Sequence, residues 1–186
     1  MNRYIHAGVG AAIGLVKMTM IKVQRGNAFH APLVHLISPG TEITVDQGGR
    51  LTIGKLMKMR GGSKLRVRKG GVVSIGNHFS MGNHCMITAH ESIVIGDEVQ
   101  FGPNVYVYDH DHDYRAAGGL AANQFKTSPV EIGNNVWIGA NTVILRGTKI
   151  GDNCVVGAGC VLKGNYRHDS LIIQKRETTV RPMADE

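Results

Sequence analysis

The sequence predicts an all-β fold in which short strands joined by tight turns form a stacked coil, with a short N-terminal helix and one long protruding loop. The first observation is a six-residue period from residue 75 onward, in which an aliphatic residue is followed by a small one. The second is an interruption of this period between Val107 and Ile132. Helices repeat apolar residues at three and four positions and strands at two, so a period of six indicates repeated strand–turn units.

The repeat defines two inward positions in each unit. Its anchors are Ile75, Met81, Ile87, Ile95, Phe101, Val107, Ile132, Ile138, Ile144, Ile150, Val156 and Leu162. The fourth residue after an anchor is mostly small or β-branched, and all three cysteines occupy this position: Cys85, Cys154 and Cys160. We therefore interpret the cysteines as small core residues without a redox role. Looser copies of the unit upstream extend the expected coil from about Leu33 to about Leu162.

Composition and charge exclude several classes of protein. The 186 residues fit one domain, and 21 Lys and Arg against 14 Asp and Glu give a formal net charge of +7. Residues 1–70 hold 12 basic and 2 acidic side chains. A uniformly basic nucleic-acid-binding protein would not confine its positive charge in this way, so no nucleic-acid partner is expected. Three cysteines without a CxxC motif predict neither a disulfide framework nor a cysteine zinc site, and favour a cytoplasmic location.

Several motifs resemble the hexapeptide-repeat acyltransferases, specifically the galactoside, maltose and colanic-acid O-acetyltransferase branch. They are Val136-Trp137-Ile138-Gly139-Ala140-Asn141, Ile150-Gly151-Asp152-Asn153 and Gly157-Ala158-Gly159. The resemblance covers residues 70–181 well and residues 33–69 loosely. It implies a left-handed parallel β-helix and a homotrimer with acetyl-CoA bound between neighbouring subunits. It also implies transfer of the acetyl group to a hydroxyl of a sugar or cell-surface glycan.

The interruption of the repeat carries the candidate catalytic residue. It contains His110 and His112, and imidazole is the side chain best suited to take a proton at neutral pH. An alcohol becomes a good nucleophile when its proton is removed during attack. The resemblance implies that His112 is this general base, because it is reached without a gap from Pro103-Asn104-Val105, and His110 is the second choice. It further implies acceptor-binding roles for His84, His90 and Phe125.

The donor site is expected on the C-terminal coils. The resemblance implies that acetyl-CoA contacts Trp137, Ala140 and Ala158, with Arg181 on its phosphate side. Lys163-Gly164 replaces the Thr-Lys that is usual in the family after the last repeat, and Lys163 is expected to supply a cation for the phosphates in its place. Ala140 and Ala158 are 18 residues apart, which stacks them one coil above the other. A side chain larger than alanine at either position would crowd the cofactor.

Residues 1–32 are expected to form an N-terminal helix or cap. Residues 33–186 are expected to form the β-helix acyltransferase domain, with the loop 108–131 inserted and a C-terminal extension at 163–186. The apolar stretch Ala7–Val16 is too short to cross a membrane, and we expect a helix to about Val23. The favoured role of this helix is to cap the open end of the coil. The alternative is peripheral contact of the basic N-terminal third with the inner face of the membrane.

Two further functions stay open at this point. A metal-dependent hydratase similar to the β-helix carbonic anhydrases would draw its ligands from His84, His90, His110 and His112. The paired histidines of those enzymes are spaced differently, and they lack the long loop, so no metal is expected. Within the transferases, N-acetylation of an amino sugar is the second alternative.

Overall fold

The computed structural model describes residues 3–175 and 177–178. Helix α1 spans Arg3–Arg25, and a 3₁₀ turn at Gly26–Ala28 leads into a parallel β-helix. Before the protruding loop the β-helix makes four coils of three strands each. Their strands are β1 (Phe29–His30), β2 (Leu36–Ile37), β3 (Glu42–Val45), β4 (Arg50–Ile53), β5 (Lys58–Met59), β6 (Lys64–Val67), β7 (Val72–Ile75), β8 (Ser80–Met81), β9 (Met86–Ala89), β10 (Ser92–Ile95), β11 (Gln100–Phe101) and β12 (Tyr106–Tyr108).

The protruding loop is itself a β-hairpin. Strands β13 (His110–His112) and β14 (Phe125–Thr127) pair antiparallel, and a 3₁₀ turn at Gly119–Ala122 lies between them. The chain then returns to the β-helix through β15 (Val130–Ile132), β16 (Trp137–Ile138), β17 (Val143–Ile144), β18 (Lys149–Ile150), β19 (Val155–Val156), β20 (Val161–Leu162), β21 (Asn165–Tyr166) and β22 (Leu171–Ile172).

The strands stack into three parallel faces. Face 1 has the order β1-β4-β7-β10-β15-β18-β21, face 2 the order β2-β5-β8-β11-β16-β19-β22, and face 3 the order β3-β6-β9-β12-β17-β20. Corner 2–3 joins faces 2 and 3 within a coil, and corner 3–1 joins face 3 to face 1 of the next coil. The described chain thus makes six complete coils and part of a seventh, which confirms the predicted parallel β-helix with its N-terminal helix and protruding loop.

The core fills the interior of the coil. The predicted anchors are all buried, as are the residues of the second inward position in most units. The three cysteines are buried and free, which confirms their interpretation as core residues. Burial raises the pKa of the Cys85 thiol, which disfavours the reactive thiolate.

The coil is longer than its sequence period. It begins with β1 at Phe29–His30, inside the segment predicted as the cap, and not at Leu33. It continues past the predicted end at Leu162, because β21 pairs with β18 and β22 pairs with β19. Strand pairing uses backbone groups alone, whereas the six-residue pattern records inward aliphatic side chains, which a terminal coil needs less. The pattern therefore underestimates the coil at both ends.

Helix α1 lies across the first coil. Met18 and Ile21 are buried in the core. A Cβ atom built on Gly14 would overlap the carbonyl oxygen of His35, so only glycine lets the helix lie this close to the backbone beneath it. Lys17 Nζ donates a hydrogen bond to the carbonyl oxygen of Thr41 at 2.5 Å. The helix covers the end of the coil, as a cap would, and within the described residues no helix has the length and apolar character needed to cross a bilayer.

Candidate active site

A buried carboxylate anchors the hairpin to the coil. Asp109, the residue between β12 and β13, is 0% exposed. Its oxygens accept hydrogen bonds from the backbone N–H of His90, at 2.8 and 3.1 Å, and of Glu91, at 2.7 Å. Burial alone would raise the pKa of Asp109, but the hydrogen bonds from His110 and from these two backbone groups outweigh it and hold the pKa below its ordinary value. Asp109 is therefore a fixed negative charge at corner 3–1.

Three histidines and a phenylalanine pack together above this anchor. Alternate residues of a strand face the same side, so His110 and His112 of β13 point together, and Phe125 lies opposite His112 across the hairpin. The ring centroids of His90 and His110 are 4.0 Å apart, those of His90 and Phe125 4.1 Å, and those of His112 and Phe125 4.7 Å. We call these four residues the histidine cluster. It unites both candidate bases with two of the three predicted acceptor residues.

The three imidazoles of the cluster differ in their surroundings. The Nδ1 atom of His110 lies 3.1 Å from Asp109 Oδ1, so it donates its proton to the carboxylate, and the side chain is only 13% exposed. Burial, followed by the charge of neighbouring His110, lowers the pKa of His90, so His90 is neutral at neutral pH. His112 is exposed, and among the described residues no hydrogen bond to its ring is found. It is the histidine most open to a substrate.

A cavity of about 550 Å³ opens beside the cluster. The histidine cluster and Tyr108 form one wall. Arg66, Arg68 and Lys69, with Asp46 beside them, line the same cavity and form its basic wall. The sequence pattern alone does not assign these basic residues to the site. Their strand-like alternation was the available signal, but it did not show which face of the coil they would share with the loop.

His84 lies apart from the cavity. It occupies corner 2–3, where its exposed ring lies against Gly62, whereas His90 lies at corner 3–1 at the other end of β9. The four residues of β9 place the two histidines more than about 10 Å apart. Within one chain, then, the structure does not bring His84 to the histidine cluster, and its acceptor role stays a prediction. Among the described residues, no group of three or more His, Cys, Asp or Glu side chains is arranged to hold a metal ion.

The expected donor residues lie on the coils above the hairpin. Trp137 on face 2 is 57% exposed, and Ala140 follows it at corner 2–3. The N–H of Gly159 donates to the carbonyl oxygen of Ala140 at 2.8 Å, which confirms that Ala158 is stacked one coil above Ala140. Lys163 is exposed at the far edge of face 3, after β20, and the structure does not bring it next to these alanines. Arg181 lies outside the described residues.

The chain is similar in sequence to known transferases. The family described as "Bacterial transferase hexapeptide (six repeats)" matches residues 129–164. The chain is 36% identical over 97 residues to the galactoside O-acetyltransferase of Escherichia coli (strain K12), a match that covers 50% of this chain and 45% of that protein. It is 26% identical over 132 residues to the putative lipopolysaccharide biosynthesis O-acetyl transferase WbbJ of the same organism, with 67% of each chain covered.

Among solved structures, the chain is similar to the hexapeptide-repeat containing acetyltransferase VCA0836 from Vibrio cholerae O1 biovar eltor, complexed with acetyl coenzyme A. The TM-score is 0.55 at 23% identity, with 97% of this chain and 86% of that chain covered. At this identity the likeness concerns the fold. The matched repeat coincides with the coils from β15 to β20, which also carry the motifs found in the sequence. The chain therefore carries the repeats of the hexapeptide transferase family in its C-terminal coils.

Proposed function

We propose that this protein is an acetyl-CoA-dependent O-acetyltransferase whose acceptor is a hydroxyl of a sugar or glycan. The observation that carries the proposal is the histidine cluster, held at the edge of a cavity by a hairpin that interrupts a hexapeptide coil. The two curated relatives support it, since both carry O-acetyltransferase names. The galactoside enzyme is matched over less than half its length, so the activity of the present chain rests on its own site.

His112 is the proposed general base. Its ring is exposed at the cavity, whereas His110 is enclosed and has one nitrogen bound to Asp109. As the acceptor oxygen attacks the thioester carbonyl, His112 removes the hydroxyl proton. When the tetrahedral intermediate collapses, the imidazolium returns that proton to the departing CoA sulfur. The carbon–sulfur bond breaks, an ester bond forms, and no covalent enzyme intermediate is needed.

His90 and Phe125 are proposed to hold the acceptor. His90 stays neutral at neutral pH and can donate or accept a hydrogen bond, which suits a sugar hydroxyl. The ring of Phe125 lies against both His90 and His112, so an apolar sugar face resting on it would bring a hydroxyl to the base. His110, held by Asp109, packs against His90 and Phe125 and so helps to orient their rings. It is also the second candidate for the base.

A homotrimer is proposed for the complete donor site. Acetyl-CoA is expected along Trp137, Ala140 and Ala158, yet these residues and Lys163 lie on different edges of one chain. A cleft between two subunits would cover the exposed Trp137 ring and could bring Lys163 of one subunit to the alanines of its neighbour. Sedimentation velocity measures whether the chain forms a trimer in solution. Peripheral membrane contact is a separate proposal, supported by an exposed apolar stripe along α1: Val9, Val16, Met20 and Val23.

The experiment that tests the function compares two histidine variants in a CoA-release assay with a panel of sugars and amino sugars. His112→Ala should lower turnover about 100- to 10,000-fold, the usual contribution of a positioned proton transfer. His110→Ala should be much milder, and His78→Ala, in a turn on another corner, is the matched control. The wild-type rate should rise with pH as the general base loses its proton, and His112→Ala should lose that rise.

The outcomes separate the alternatives. If His110→Ala is inactive and His112→Ala active, the base is His110 with Asp109 as its partner. If both variants keep full activity, the hairpin is not catalytic and the proposal fails. Transfer to amino sugars alone, with no transfer to hydroxyls, would make the enzyme an N-acetyltransferase.

A further inference from the structure

The basic wall of the cavity continues an outward column on face 3. On β6, Leu65 and Val67 are buried, so Arg66 between them points outward. Parallel register places Arg66 beside Thr88 of β9, and Thr88 beside Tyr108 of β12. The column therefore leads from the basic residues to the foot of the hairpin. Arg68 and Lys69 follow at corner 3–1, the same corner that carries His90 and Asp109.

The three cations of this wall differ in how closely an acidic side chain pairs with them. Arg66 is held by Glu42 through two hydrogen bonds, Nε to Oε1 at 2.7 Å and Nη2 to Oε2 at 2.9 Å. The Arg68 Nη1 atom is 3.6 Å from Asp46 Oδ2, beyond hydrogen-bonding distance, and both side chains are about 40% exposed. Lys69 has no ion-pair partner among the described residues. Arg68 and Lys69 are thus free to bind a ligand.

The chemistry of this wall selects the ligand. Arg and Lys side chains only donate hydrogen bonds, whereas sugar hydroxyls both donate and accept. A wall with two weakly engaged cations therefore suits a group that only accepts, namely a phosphate or a carboxylate. The cavity volume of about 550 Å³ is in the range that holds a small ligand. The rings that would receive the sugar line the same cavity.

We propose that the acceptor is an anionic sugar, whose phosphate or carboxylate binds Arg68 and Lys69 while its reacting hydroxyl faces His112. This inference rests on the proposed acetyl transfer and adds the class of acceptor. The rival ligand for the basic wall is the phosphate end of CoA. The expected donor residues Trp137, Ala140 and Ala158 lie on the coils after the hairpin, whereas Arg68 and Lys69 lie before it, which favours the acceptor.

The test uses three matched probes: galactose, galactose 1-phosphate and galacturonate. In the wild-type protein, calorimetry should show at least about 10-fold tighter binding of one anionic sugar than of galactose, since charge-assisted hydrogen bonds are stronger than those between neutral groups. The phosphate and carboxylate probes show which anion is preferred. Arg68→Gln and Lys69→Gln should each remove most of this preference and leave galactose binding within about twofold. Lys64→Gln removes the same charge from β6, the strand that leads into this corner, at a position outside the cavity, and is the control.

Steady-state kinetics show whether the basic wall binds the anionic acceptor or the phosphate end of CoA. For the anionic acceptor, kcat/KM should fall about 10- to 100-fold in Arg68→Gln, and the KM for acetyl-CoA should stay within about twofold. An equal rise in the KM for acetyl-CoA would assign the wall to the donor and overturn the inference. Equal binding of all three sugars by the wild-type protein would overturn it as well. If no acceptor is acetylated, the proposed function is wrong. The binding data would still show whether Arg68 and Lys69 form an anion site.

Discussion

Replacing Asp109 with asparagine should loosen the hairpin without changing the shape of the core. The carboxylate accepts hydrogen bonds from the backbone N–H of His90 and Glu91 and from the ring of His110. An amide of the same size keeps one oxygen and turns an NH₂ group toward the other donors. At least one buried N–H then loses its acceptor. Hydrogen bonds to charged groups are worth about 1.5–3 kcal/mol, so we expect a loss of roughly 2–4 kcal/mol.

The assay combines thermal unfolding with hydrogen exchange. For a chain of this length, 1 kcal/mol corresponds to about 2–4 °C in Tm, so Asp109→Asn should lower Tm by about 4–16 °C. The amides of His90 and Glu91 should lose protection first. Turnover should fall as well, because the histidine cluster is positioned by this anchor. Since the pKa of Asp109 is held below its ordinary value of 3.8, its contribution is present above that pH and is lost as the pH falls toward the folded-state pKa. The variant should lack this acid-dependent loss.

The matched control is Asp111→Asn, the same chemical change two residues along the hairpin. Asp111 is exposed and pairs with Arg146 at 2.6 Å, a surface ion pair worth about 0–1 kcal/mol. Its Tm should therefore stay within about 4 °C of the wild type. The proposed role of Asp109 as the anchor of the hairpin would be refuted by either of two results. One is an equal effect of the two substitutions on Tm, and the other is undiminished protection of the His90 and Glu91 amides in Asp109→Asn.

Two further predictions concern the donor corner and the first coil. Ala140→Leu should raise the KM for acetyl-CoA about 10-fold or more with the far-ultraviolet circular dichroism unchanged; unfolding would show that the side chain points into the coil. His35 is buried, accepts the Met57 N–H at 3.1 Å, and lies 2.7 Å from the Pro32 carbonyl oxygen. Burial lowers its pKa, so the unfolded chain binds more protons and the free energy of unfolding should fall as the pH drops below 6.5. Denaturant titrations of His35→Gln, whose amide can keep both hydrogen bonds, should show a flatter dependence on pH.

Local sequence patterns were enough to predict the architecture. The six-residue period places an anchor such as Ile138 inside each coil, and this depends only on residues a few positions apart. The same pattern assigned Cys154 to the core and marked the interruption that carries His112. Chemical type also identified the loop histidines as candidates for proton transfer, because few side chains titrate near neutral pH.

The contacts that build the site depend on how the coils stack. Asp109 meets the backbone of His90 across 19 residues, and Arg68 reaches the cavity from a coil whose spacing departs from the regular period. Turn insertions change the number of residues in each coil, so sequence separation does not show which side chains share a corner. His84 and His90 occupy equivalent places in two consecutive hexapeptides, so they lie at successive corners, at opposite ends of β9. Local periodicity thus determines which residues form the coil. The long-range register between coils determines the contacts of Asp109, the position of the basic wall and the grouping of the histidines.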